Sequence, residues 1–200
     1  MLEQMRKYFD SQAKLREQAL DASRATIRAS SRAISAIHRG DQAEVEQFIS
    51  EARDGLNALA RMTEAGPEMA DSGIVVSAQQ EYGEAELAKA AIMDGKLLEV
   101  EELGISYKAY LGALADAAGE LRRHILDRIR ANEIEQAEAT LKIMEKIFEI
   151  LMEFDYADAV LPGMRRRQDM IRQVLERTRG DLTIALRQQR LEQALEKRGG

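Results

Sequence analysis

The sequence predicts an all-α protein: one domain over residues 1–200, a bundle of about six helices with a long first and a long last helix. Three observations carry that expectation. Strong helix formers dominate a chain of 200 residues that holds 2 Pro and 4% aromatic residues. Apolar residues recur at helical spacing, and no strand-like alternation persists anywhere. The opening segment, residues 2–38, contains neither Gly nor Pro.

That segment reads as one helix on the order of 55 Å long at 1.5 Å per residue. Its apolar side includes Leu15, Ala19, Ala22, Ile27, Ile34 and Ile37. Gly40 suits the position just after its C-terminus, and Asp41 can cap the next helix. That second helix, over 42–65, runs through Val45, Phe48, Ile49, Leu56, Leu59 and Met62 until Gly66-Pro67 breaks it. The third spans about 68–93, with early turns weakened by Gly73 and the β-branched run Ile74-Val75-Val76. Asp94-Gly95 marks a turn, and 96–104 reads equally as a short helix or a loop. Gly104-Ile105-Ser106 caps a fourth helix over about 106–130. Ala131-Asn132 leads into a fifth over 133–154, carrying Ala137, Leu141, Met144, Ile147, Phe148 and Leu151. Leu161-Pro162-Gly163 is a boundary, and the last helix covers about 164–197 with Gly180-Asp181 as its weak point.

The formal net charge of −6 is unevenly spread. Residues 1–39 hold eight Lys/Arg against four Asp/Glu, residues 161–200 ten against five, and residues 40–160 eleven against twenty-six. Basic ends around an acidic centre keep a nucleic-acid partner open where the total alone argues against one. Arg24, Arg28 and Arg32 recur every fourth residue of the first helix, and Arg165, Arg172 and Arg179 every seventh of the last. Each stripe is either a solvated face or a surface for phosphates. With 0 Cys, disulfides, thiolate metal sites and cysteine nucleophiles are excluded, as suits a reducing cytoplasm. Glu3, Arg6, Lys7 and Asp10 are unlike a signal peptide, and no apolar run approaches a membrane span. A cytoplasmic protein without membrane contact is expected. His38 and His124 read as cap or surface residues.

Chemistry concentrates in residues 78–120. Gln80-Glu81-Tyr82-Gly83-Glu84-Ala85 sets two carboxylates three apart, and Ala115-Asp116-Ala117-Ala118-Gly119-Glu120-Leu121 sets two more four apart. On helices each pair shares a face. Ala78, Ala85 and Ala88 on one side, and Ala113, Ala117, Ala118 and Gly119 on the other, are small enough for two helices to approach closely. Four acids could then converge. Converging carboxylates repel unless a cation lies between them, and a histidine-free oxygen set suits Mg²⁺ or Mn²⁺. That is the equipment of metal-assisted phosphodiester hydrolysis. The same spacing also describes an ordinary solvated helix face.

The two acid segments resemble motifs of the translin/TRAX family. Gln80 to Ala85 is similar to the QEYxEA motif of TRAX, the translin-associated factor X. Tyr110-Leu111 followed by Ala115 to Leu121 is similar to its YL…ADxxGEL motif, in the same order. The Arg-rich first helix resembles the family's start. Tyr156-Ala157-Asp158, Leu161 to Arg167 and Thr178 to Thr183 look like its archaeal branch. The likeness spans nearly the whole chain. It departs in a shorter stretch between the acid motifs and in residues 124–135.

The resemblance implies an all-helical fold, assembly into an octameric shell and RNA handled inside it. It implies Mg²⁺-dependent ribonuclease chemistry of the TRAX kind, with Glu81, Glu84 and Asp116 as catalytic metal-binding acids and Glu120 as a fourth candidate ligand. The expected function is therefore a metal-dependent endoribonuclease in a homo-oligomer, an octamer by resemblance. The basic helices, through Arg24, Arg28, Arg32, Arg165 and Arg172, would hold RNA, or single-stranded DNA, with weak sequence preference. Two alternatives are a non-catalytic translin-like nucleic-acid binder and an all-α nucleoside triphosphate pyrophosphohydrolase, which also pairs ExxE with acids on a neighbouring helix.

Overall fold

The computed structural model describes residues 1–199, and among them there is no strand. Seven α-helices follow in order: α1 Leu2–Arg39, α2 Gln42–Ala65, α3 Gly73–Met93, α4 Val100–Leu103, α5 Tyr107–Arg130, α6 Ile134–Met152 and α7 Met164–Gly199. The chain forms two compact units, Met1–Lys89 with Leu98–Ala113 and Ala90–Leu97 with Leu114–Gly200.

The first unit is built on the α1–α2 hairpin. The buried face of α1 is Ala19, Ser23, Thr26, Ala29, Ser30, Ala33, Ala36 and Ile37, almost all small, so α2 packs close against it. At Gly55 of α2 a Cβ would collide with the Thr26 side chain, so only glycine fits there. Gly40 closes α1 at φ 72, and the Asp41 carboxylate accepts from the Glu44 amide at 3.1 Å, as the cap residues predicted. Ala19, Leu59, Met69, Val75 and Ala78 form a core cluster against which Leu15, Leu56, Met62 and Ile74 pack. Each fully buried leucine in such a cluster contributes roughly 1.5–3 kcal/mol.

The third helix begins at Gly73, not at 68. A 3-10 turn over Pro67–Met69 intervenes, because Pro67 brings no N–H and the Met69 amide bonds back to Gly66. The helix starts when the Ser72 carbonyl accepts from the amides of Val75 and Val76. Ile74-Val75-Val76 therefore lie inside it: Val75 is buried in the core, and that burial outweighs a modest deficit in propensity. Residues 96–104 hold a single helical turn, α4. The Glu102 carboxylate accepts from the Glu99 amide at 2.8 Å, and Gly104 ends the turn at φ 64.

In the second unit α6 buries Ile134, Ala137, Thr140, Met144, Ile147 and Leu151. Leu114, Leu121 and Ile125 of α5 and Met164, Ile171, Leu175 and Leu182 of α7 are buried as well. Gln168 donates to the carbonyls of Leu151 (2.8 Å) and Phe154 (3.2 Å), satisfying the C-terminal end of α6, which stops at Met152 rather than 154. Helix α7 passes through Gly180 unbroken. Thr178 and Leu182 on either side are buried, and Arg122 of α5 grips Thr178 and Asp181, each at 2.9 Å. Tertiary contacts hold the turn that the local sequence leaves weak. Two apolar faces stay exposed: Leu2, Met5, Tyr8 and Phe9 at the start of α1, and Ile184, Leu191 and Leu195 late in α7. No helix among the described residues is long and apolar enough to cross a membrane.

Candidate functional site

Helix α3 carries the first acid motif, and neighbours in its own unit set its rotation. On one flank the Tyr82 hydroxyl donates to Glu86 (2.7 Å), while Arg53 of α2 donates to both Tyr82 (2.9 Å) and Glu86 (2.7 Å). On the next flank α3 meets the segment that opens α5. A Cβ at Gly83 would lie 2.8 Å from Ile105 Cδ1 and 2.9 Å from Ala113 Cβ, and one at Gly112 would sit 2.5 Å from Gln80 Cδ. The Ser106 amide donates to Gln79 at 3.2 Å. Within this unit a close approach of α3 to the start of α5 is present. Gly83 and Gly112 make it, whereas Gly119 faces open space. At about 100° per residue, Glu81 and Glu84 fall on the flank these contacts leave over, where both are half-buried.

The second motif lies on α5. Asp116 is half-buried, its Oδ1 3.4 Å from the Arg167 guanidinium of α7, and the two side chains are 30% and 29% exposed. Glu120, one turn on, lies 3.9 Å from Arg123. Ala117, Ala118 and Leu121 turn the other way and are buried. The structure thus brings each acid pair onto one helix face. Among the described residues it gathers no group of three or more His, Cys, Asp or Glu able to hold a metal ion. The donor chemistry still fits a hard divalent cation, since every candidate is a carboxylate, and Asp116 already has a cationic partner.

Electrostatics single out two tyrosines. Burial first, then the hydrogen bond and charge of Glu86, push the Tyr82 hydroxyl up to about 12. Burial first, then the carboxylates of Glu99, Glu101 and Glu102, push Tyr110 up to about 12. The hydrogen bonds to Tyr82 and Glu86 raise Arg53 further above its ordinary value, so it is cationic throughout.

The predicted basic stripes are exposed. Arg24 lies 3.8 Å from Asp21, and Arg28 is open to solvent. Arg32 stacks over Phe48 at 3.8 Å and lies 3.9 Å from Glu51. On α7, Arg165 pairs with Asp155 (3.6 Å) and Arg172 with Asp169 (3.1 Å). Sequence reasoning missed three residues of the acid-bearing region: Arg53, Glu86 and Arg167. A signal existed for the last, because Arg167 keeps helical phase with the apolar Met164, Ile171 and Leu175.

No protein-family model matches the chain. Uncharacterized protein MJ0175 of Methanocaldococcus jannaschii is 33% identical over 197 residues, 95% of this chain and 85% of that protein. The solved structure of AfC3PO with duplex RNA matches at 33% identity and a TM-score of 0.82, covering 92% of this chain and 95% of that one. A crystal structure of AfC3PO gives a TM-score of 0.81. Apo-NeC3PO reaches 0.83 at 18% identity, a likeness of fold. The architecture is that of a translin-like helical protein. Identity at this coverage establishes kinship as well, and the chain belongs to the translin/TRAX family to which the C3PO chains belong.

Proposed function

We propose that this protein binds RNA with weak sequence preference and cleaves it internally, using Mg²⁺ or Mn²⁺ held by Glu81, Glu84 and Asp116 with Glu120 as a further ligand. The observation that carries the binding half is the 33% identity to AfC3PO, which was solved with duplex RNA. The half-buried acids on single faces of α3 and α5 support the chemical half.

A bound divalent ion would supply a Lewis acid and an activated water. The chain's own residues do the rest. The carboxylates would hold the ion, and the Arg53–Tyr82–Glu86 contacts with the Gly83 approach fix the rotation of α3 that presents Glu81 and Glu84. Arg24, Arg28, Arg32, Arg165 and Arg172 offer exposed positive charge to phosphates, which positions RNA without reading its bases. Assembly into a homo-oligomer, an octamer, would cover the exposed apolar faces of α1 and α7. A single monomeric species of 22.5 kDa in light scattering would overturn the assembly.

Labelled RNA incubated with Mg²⁺, Mn²⁺ or EDTA, beside a nucleoside triphosphate, tests the chemistry. Fragments are expected with either metal and none with EDTA. Glu81→Ala and Asp116→Ala should abolish cleavage and keep the helical circular dichroism. RNA that is bound but never cut leaves a binding protein. Pyrophosphate release without RNA cleavage leaves a pyrophosphohydrolase.

A further inference from the structure

We propose that Arg167 is a working residue of the acid site: it is the counter-cation of Asp116 in the ion-free protein, and it contacts the RNA phosphate once a divalent ion takes that carboxylate. This role rests on the reading of the acids as an ion site. Three observations support it.

The first is placement. Arg165 and Arg166 in the opening turn of α7 are exposed, whereas Arg167 is half-buried and in phase with buried Met164 and Ile171. Its neighbour Gln168 is buried and pinned to the carbonyls of Leu151 and Phe154, so the turn that presents Arg167 is anchored. The second is the length of the contact. Three cross-helix arginines sit close to their acids, Arg53 to Glu86 at 2.7 Å, Arg179 to Glu145 at 2.7 Å and Arg122 to Asp181 at 2.9 Å, while the exposed Arg32 of α1 lies 3.9 Å from Glu51 of α2. Arg167 approaches Asp116 only to 3.4 Å, outside the roughly 2.7–2.9 Å of strong charge-assisted bonds. The pair compensates charge without a short charge-assisted bond between these two atoms. The third is that one of the candidate ligands, Asp116, faces a guanidinium within its own compact unit. A divalent ion carries twice that charge and competes for the same oxygen. The displaced guanidinium has a planar fork of donors that matches phosphate oxygens, where negative charge grows during cleavage.

The test separates this role from that of a strut because two readouts move in opposite directions. Mn²⁺ binding to the full chain without RNA is followed by electron paramagnetic resonance, and single-turnover RNA cleavage is measured at saturating Mn²⁺. Arg167→Gln should tighten Mn²⁺ by roughly 2- to 5-fold, the span of a half-exposed charge pair. It should slow cleavage by about 100-fold or more, as the loss of one transition-state donor does. Arg167→Lys, which keeps the charge, should leave Mn²⁺ affinity near wild type and recover only part of the rate. Arg166→Gln should change neither. If Arg167→Gln weakens Mn²⁺ and cleavage together, or leaves cleavage intact, the proposal is overturned while the ion site stands. A wild-type chain that binds no Mn²⁺ overturns both.

Discussion

Arg53 of α2 meets Glu86 of α3 at 2.7 Å, and the carboxylate it meets is only 8% exposed. Tyr82 donates to the same Glu86 oxygen, so one buried acid receives two donors from two helices. The guanidinium is 59% exposed, which weakens the ion pair as a source of stability but leaves Glu86 dependent on it. Arg53→Ala should therefore destabilise the chain by about 1–3 kcal/mol, the cost of leaving a buried polar group short of a partner. Glu86→Gln should cost less. Urea unfolding of both single variants and the double variant checks this, and additive effects would mean that the pair is not coupled.

Alkaline titration gives a second expectation. Tyr82 and Tyr110 are both pushed up to about 12 from an ordinary value of 10.0. A raised value means that the folded chain holds these protons more tightly than the unfolded chain does. The stability they contribute is complete below pH 10 and is lost as pH rises through about 12. Tyr82→Phe and Tyr110→Phe should each flatten that decline. Denaturant midpoints across this range, with tyrosinate absorbance alongside, provide the measurement; a decline unchanged in both variants would refute the assignment.

Glycines on α3 and α5 should respond with opposite signs. In an exposed helix Gly→Ala gains about 1 kcal/mol. Gly119→Ala should approach that gain, since nothing lies within 4 Å of the added Cβ. Gly83→Ala meets the Ala113 methyl at 2.9 Å, and a methyl fixed to a helix cannot swing aside. Overpacking of this kind costs about 1–3 kcal/mol, so a net loss of stability is expected. Thermal melts of the two variants decide it.

Replacing Arg24, Arg28 and Arg32 of α1 with Ala should weaken RNA binding and reduce its salt dependence by about one unit of slope for each phosphate no longer neutralised. Arg28→Ala should do so with no change in stability. Arg32→Ala should also forfeit the stacking on the Phe48 ring, worth about 0.5–1 kcal/mol. Filter binding at several salt concentrations reads the slope; an unchanged slope would make the stripe a solvated face.

The helices were legible because their signals are local. Gly40 and Asp41 end one helix and begin the next through their own backbone and side-chain chemistry, and both act as their types predict. The acid pairs were legible for the same reason, since residues three and four apart on a helix share a face whatever surrounds them. The start of α3 was misplaced because Pro67 and the amide pairing of the turn outweigh a run of helix-compatible residues after it.

By itself, the sequence determined the all-α class, the helix boundaries set by caps and glycines, the segregated charge and the two acid motifs. Each arises from residues close together in the chain. Only the tertiary structure decided which glycines carry the close approach, that Gly180 stays helical, and that Arg53 joins Glu86 while Arg167 faces Asp116. Arg53 is 33 residues from Glu86, and Arg167 is 51 from Asp116. An arginine's spacing along the chain says which face it takes, but its partner is set by the helix that packs against that face.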